Sequence, residues 1–106
     1  MIKNNNKNID IVKVNSSKID RVDFDNLSFG SIFTDHMLVC DFKNGVWEKP
    51  VIKPYEPFLI DPSAKVFHYG QAIFEGMKAY KDAQDDVWLF RADENFKRFN
   101  KSAEDR

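Results

Sequence analysis

The dipeptide Asn44-Gly45, set between HMLVCDF and VWEKP, constrains the fold of this chain more than any other feature. Asparagine and glycine readily supply the positive φ angles that a two-residue hairpin turn demands. An antiparallel hairpin is therefore expected here. Downstream, Pro50, Pro54 and Pro57 punctuate an extended run. Proline has no N–H for a ladder, so this run is not expected as a central strand. Upstream, IDIVKV (9–14) is β-branched and loosely alternating, the pattern of a short strand. The polar, turn-rich NSSKIDRVDFDNLSFGS that follows reads as connecting loop.

Helical signals come later. In DPSAKVFHYG (61–70), Asp61 can cap free amides, Pro62 suits a first helical position and Gly70 can terminate a short helix. The next stretch, QAIFEGMKAY, is ambiguous by period, because Ile73, Met77 and Tyr80 also share a helical face. Gly76 in its middle disfavours a helix by about 1 kcal/mol relative to alanine. VWLF (87–90), beyond the polar turn KDAQDD, offers a strand partner. A second hairpin is expected, Gln71 to Lys81 with Val87 to Arg91. ADENFKRFNKSAEDR then reads as helix, with Asp93 as N-cap and Glu94 in the first turn. Phe96, Phe99 and Ala103 form an apolar stripe, and Arg98 lies off it. The expected class is α+β, antiparallel hairpins packed with helices. A flexible tail with a possible short strand is expected over 1–28 and a small domain over 29–106, and the abrupt C-terminal stop hints at a fragment.

Composition narrows the chemistry. With 106 residues and a formal net charge of -1, the chain has room for one modest core and no basic footprint for nucleic acid or an anionic membrane. No apolar run approaches the roughly 18 residues of a membrane span. The single cysteine, Cys40, excludes an internal disulfide and a Cys-rich metal site, and with no signal peptide it fits a reducing cytoplasm. His36 and His68 stand 32 positions apart, without ligand spacing, so no metal is expected. Neither a G-x-S-x-G elbow nor a P-loop occurs, and Asp85-Asp86 reads as solvated charge in a turn. Ten phenylalanines point to aromatic burial or to a rigid apolar pocket wall, and for any one of them core is the plainer reading.

FTDHM, HYGQAIFEGMKAY and WLFRADENFKRFNKSA, in that order, resemble the N-terminal part of branched-chain amino acid aminotransferases. These are pyridoxal-phosphate enzymes of the type IV fold, and the resemblance runs from about Phe29 to the end. HYG, FEG and KAY alone are shared with D-amino acid aminotransferases and aminodeoxychorismate lyase. The upstream FGSIFTDHMLVCDF and GVWEKPVIKPYEPFLIDPSA look like the longer branched-chain subgroup.

The resemblance implies roles. Arg98 matches the arginine that binds the cofactor phosphate, a task suited to a permanent cation with a fork of donors. Tyr69 and Phe74 match positions lining the substrate side-chain pocket, and the Tyr69 position reaches a neighbouring subunit in relatives, implying a homodimer. Selection among leucine, isoleucine and valine then rests on apolar shape, at about 1–3 kcal/mol per methylene. Glu75, Gly76 and Tyr80 match as scaffold, Gly76 for close backbone packing and Glu75 to orient neighbours. Lys78 is not the reactive amine, since relatives carry lysine or arginine there. The Schiff-base lysine and the carboxylate on the pyridine nitrogen lie downstream in the family, so this chain supplies no catalytic residue and is expected to be inactive alone. After KSA the family usually places Arg-Leu sooner than EDR does here. A non-catalytic dimerising or binding module is the reading from a different class.

Overall fold

The computed structural model describes residues 8–104, so positions 1–7 of the tail expected over 1–28, and the last two positions, lie outside the described residues. The chain divides into two compact units, Met1–Phe58 and Leu59–Arg106. Helices and antiparallel hairpins are both present, giving the α+β class expected.

In the first unit, β1 (Asp10–Ile11), β2 (His36–Val39) and β5 (Val51–Pro54) form a sheet of order β1-β5-β2. Between β2 and β5 lie β3 (Phe42–Lys43) and β4 (Val46–Trp47), paired across the expected turn. Asn44 and Gly45 sit at φ 53° and 80°, the left-handed pair that this turn type needs. Phe42 and Trp47 face each other across it, ring centroids 5.0 Å apart.

The pairing register changes by one residue along this long hairpin. Phe42 pairs with Trp47 and Val39 with Val51, so Cys40–Asp41 oppose the three residues Glu48–Pro50. Such a two-against-three step is a bulge, and it exchanges the faces of the side chains beyond it. Pro50, which has no N–H to pair, is one of those three residues.

The expectation that the prolines keep this run out of a central strand is overturned. Val51–Pro54 is the middle strand, antiparallel to β2 and parallel to β1. Asp10 and Val12 donate their N–H groups to the carbonyls of Pro50 and Ile52, at 3.1 and 2.8 Å. The return bonds beyond Ile52 would have to come from the nitrogens of Pro50 and Pro54. Those rungs are impossible, so β1 ends after two residue pairs and is shorter than IDIVKV suggested. Val51 and Lys53 face β2 and keep their donors. The prolines shorten one ladder and leave the other intact.

Side chains fix the chain between β1 and β2. Val14 N–H donates to His36 Nε2 at 3.1 Å. Asp35 accepts from Ser17 Oγ at 2.5 Å and from Lys18 N–H at 3.2 Å. These bonds, the Ser17 one first, hold the Asp35 carboxyl below its ordinary pKa. A single 3₁₀ turn (Ile19–Arg21) interrupts the expected loop. Phe33 stacks on Tyr55, centroids 5.2 Å apart.

The second unit holds α1 (Lys65–His68), β6 (Ala79–Lys81) paired with β7 (Val87–Leu89), and α2 (Ala92–Glu104). The first helix is shorter than expected, and Asp61 does not cap it. The Asp61 carboxylate accepts from Ser63 N–H and Ser63 Oγ, closing a local turn, and α1 begins only after Ala64. Gly70 at φ 60° follows the helix end in the role foreseen. The second hairpin exists but spans three pairs. Residues 71–78 are irregular, so the Gln71–Lys81 strand is corrected to Ala79–Lys81.

Asp93 is likewise not the N-cap of α2. Arg91, at φ 50°, presents its carbonyl to the N–H groups of Glu94 and Asn95, and Asp93 falls in the first turn beside Glu94. Both carboxylates there complement the helix dipole.

No hydrophobic side chain is buried among the described residues, and Leu59 and Phe74 are almost wholly open to solvent. The core reading of the phenylalanines is therefore corrected. Units of this size cannot enclose so many large side chains, and their apolar faces stay open in this chain.

Candidate functional site

Residues 71–77 and α2 form the candidate site within the second unit. The segment is irregular, and α2 supplies side chains that bind it. Glu75 is the hub. Asn95 Nδ2 donates to Glu75 Oε1 at 2.9 Å and to the Gly76 carbonyl at 2.8 Å. Arg98 Nε donates to Glu75 Oε2 at 2.8 Å, and Arg98 Nη2 donates to Oε1. Asn95 and Arg98 stand three residues apart on α2, adjacent on one helical face. The Glu75 side chain is only 8% exposed, against 69% for Arg98.

The electrostatics follow from this fork. Arg98 first, then Asn95, stabilise the carboxylate and pull the Glu75 pKa down to about 2. The same pair of bonds raises the Arg98 pKa. Arg98 is a fixed cation here, with two of its five N–H donors committed to Glu75.

Two grooves flank this pair. The larger, about 500 Å³, is lined by Phe90, Arg91, Glu94, Asn95, Lys97, Arg98 and Lys101. It holds four cations against one carboxylate, and that carboxylate lies 3.3 Å from Lys97. A groove so charged suits an ester phosphate, because arginine and lysine donors pair with its oxygens. The smaller, about 300 Å³, is lined by Ile73, Phe74, Glu75, Met77, Phe96 and Phe99. The expected stripe of Phe96 and Phe99 thus faces the 73–77 segment.

Of the residues singled out in the sequence, Arg98 lies in the cationic groove and Phe74 in the apolar one. Tyr69 lines neither groove; it ends α1, donating its N–H to the Lys65 carbonyl, and the residue is 75% exposed. Lys78 enters through its carbonyl, which accepts from Phe90 N–H at 3.2 Å. A Cβ on Gly76 would meet nothing within 4 Å, so close packing is not what that glycine provides within this chain. Asn95 was not foreseen. Its signal was its spacing, one turn before Arg98 on α2. Among the described residues no cluster of metal-ligating side chains occurs, and no helix is long and apolar enough to cross a membrane.

An irregular segment is thus clamped through Glu75 and Gly76 to a cation-bearing helix. No protein-family model matches the chain. The branched-chain-amino-acid transaminase 1 of Bacillus subtilis (strain 168) is 51% identical over 86 residues, covering 80% of this chain and 24% of that protein. The branched-chain-amino-acid aminotransferase 2 of the same organism is 48% identical over 92 residues, 86% of this chain and 25% of the relative. The cytosolic branched-chain-amino-acid aminotransferase of Saccharomyces cerevisiae is 51% identical over 80 residues, 74% and 21% respectively. The chain belongs to the branched-chain aminotransferase family and corresponds to an N-terminal portion of such an enzyme. It spans about a quarter of the length of these curated relatives.

Proposed function

We propose that this chain is the small N-terminal domain of a pyridoxal-phosphate-dependent enzyme. The complete protein would move the amino group of leucine, isoleucine or valine to 2-oxoglutarate. The observation that carries the reading is the identity of about half the residues over most of the chain, together with Arg98 in a cationic groove.

Arg98 holds the cofactor phosphate, aided by the positive balance from Arg91, Lys97 and Lys101. Bound pyridoxal phosphate supplies the electron sink for proton removal at the substrate Cα. The residues of this chain do the rest by holding and shaping. Phe74 offers a rigid apolar face to the substrate side chain and helps to exclude water. Tyr69, largely exposed, reaches the site of a second subunit in a homodimer. The domain extends over 29–106, and the enzyme works in the cytoplasm. No nucleic acid or membrane takes part.

Assays of the complete protein on leucine, D-alanine and aminodeoxychorismate test the reading. Turnover of leucine with 2-oxoglutarate is expected, and none on leucine would end it. Arg98→Ala should weaken retention of pyridoxal phosphate, whereas unchanged retention would remove Arg98 from the phosphate site. Tyr69→Ala should shift the preference among side chains, and an unchanged profile would leave Tyr69 a structural residue.

A further inference from the structure

We propose that Glu75 is a positioning residue that presets the Arg98 guanidinium for an ester phosphate, with Asn95 as the strut that holds Glu75 in place. The proposal rests on the phosphate role given to Arg98 above.

An arginine this exposed would otherwise sample many rotamers and lose that freedom on binding. Here the loss has already occurred in folding. Two N–H groups of Arg98 are bound to one nearly enclosed carboxylate, which fixes the plane of the guanidinium and leaves three donors for a ligand. Glu75 is itself pinned, because Asn95 Nδ2 bonds both its Oε1 and the next carbonyl along the chain, Gly76. Clamp and cation share one helix a turn apart, so they move together. The carboxylate offsets one positive charge, yet Arg91, Lys97 and Lys101 keep the groove cationic against Glu94. Glu75 also lines the apolar groove beside Phe74. The same side chain therefore stands at the border between the phosphate-binding and apolar surfaces.

The test uses the complete protein stripped of cofactor, with pyridoxal phosphate and phosphate-free pyridoxal as paired probes. Glu75→Gln should weaken pyridoxal phosphate on the order of tenfold, the scale for outer partners that orient a binding group, and leave pyridoxal unchanged. Glu75→Asp should recover part of the loss. Glu75→Gln combined with Arg98→Ala should be no weaker than Arg98→Ala alone. Equal loss of both probes, or additive losses in the double variant, would make Glu75 merely structural and overturn the proposal. Tighter binding by Glu75→Gln would make it a competitor of the phosphate and overturn it too. Loss in Arg98→Ala with none in Glu75→Gln sinks this inference alone, whereas no loss in Arg98→Ala sinks the phosphate reading beneath it. Should Glu75→Gln fail to fold, Asn95→Ala is read in its place. A smaller loss specific to the phosphate-bearing probe supports the strut, and no such loss overturns it.

Discussion

Glu75 shows how far a single side chain departs from what its neighbours in the sequence suggest. Its folded pKa of about 2 lies below the ordinary 4.5, with the Arg98 hydrogen bonds as the first cause. A lowered carboxyl pKa means that the pair's stabilisation is fully present above about pH 4.5 and fades as pH falls toward 2. Carboxyl-carbon NMR of Glu75 should give a midpoint near 2, moving back toward 4.5 in Arg98→Ala; an unmoved midpoint would sever the pair. Glycines give a second contrast. Gly45 sits at φ 80° with open space around it, so Gly45→Ala should cost about 1 kcal/mol through the backbone alone. Gly76 has neither a positive φ nor a neighbour within 4 Å, so Gly76→Ala should stay within about 0.5 kcal/mol. Denaturant unfolding of the complete protein separates the two. The Asn-Gly turn was legible because its chemistry is local. The role of Gly76 was not, because close approach is a fact about distant atoms.

The hairpins and helices were legible in kind and less so in extent. Both hairpins form where turn residues mark them, yet the second is cut to three pairs. Its turn is built by Asp82, which accepts from the N–H groups of Gln84 and Asp86 and from Trp88 Nε1, each at 2.8 to 3.0 Å. Within that turn Asp85 is held at φ 65°. Asp85→Gly should therefore stabilise the hairpin by about 0.5–1 kcal/mol, read as a raised unfolding midpoint, since glycine removes the left-handed cost. The ion pair to Lys81, at 3.5 Å and exposed, offsets little of that gain. In the first unit the bond from Val14 to His36 joins the β1–β2 connection to the sheet. His36→Leu should orphan the Val14 N–H, cost about 1 kcal/mol locally and speed its hydrogen exchange roughly fivefold. Unchanged exchange there would show that the strap is held by Asp35 alone.

Each of the two units, taken by itself, leaves large apolar side chains exposed. Phe58, Phe67, Trp47 and Trp88 all stand more than half exposed, and monomers seldom expose large contiguous apolar areas. A chain comprising residues 1–106 should bind a hydrophobic dye strongly, and the complete protein far more weakly per molecule. Equal binding by the two would mean that the rest of the protein does not cover these faces.

Turn chemistry, the helical stripe of α2 and the order of the three motifs depend on residues close in sequence, so the α+β class, the hairpins and the family likeness could be read without coordinates. Three matters required tertiary placement. β5 is central because its prolines spend their missing donors on one side only. The phenylalanines are uncovered because the units are too small to enclose them. Arg98, a surface helix residue by pattern, is fixed because Glu75, 23 positions away, folds back against it. Burial, ladder partners and charge pairs are set by atoms distant along the chain, and a local pattern carries no record of them.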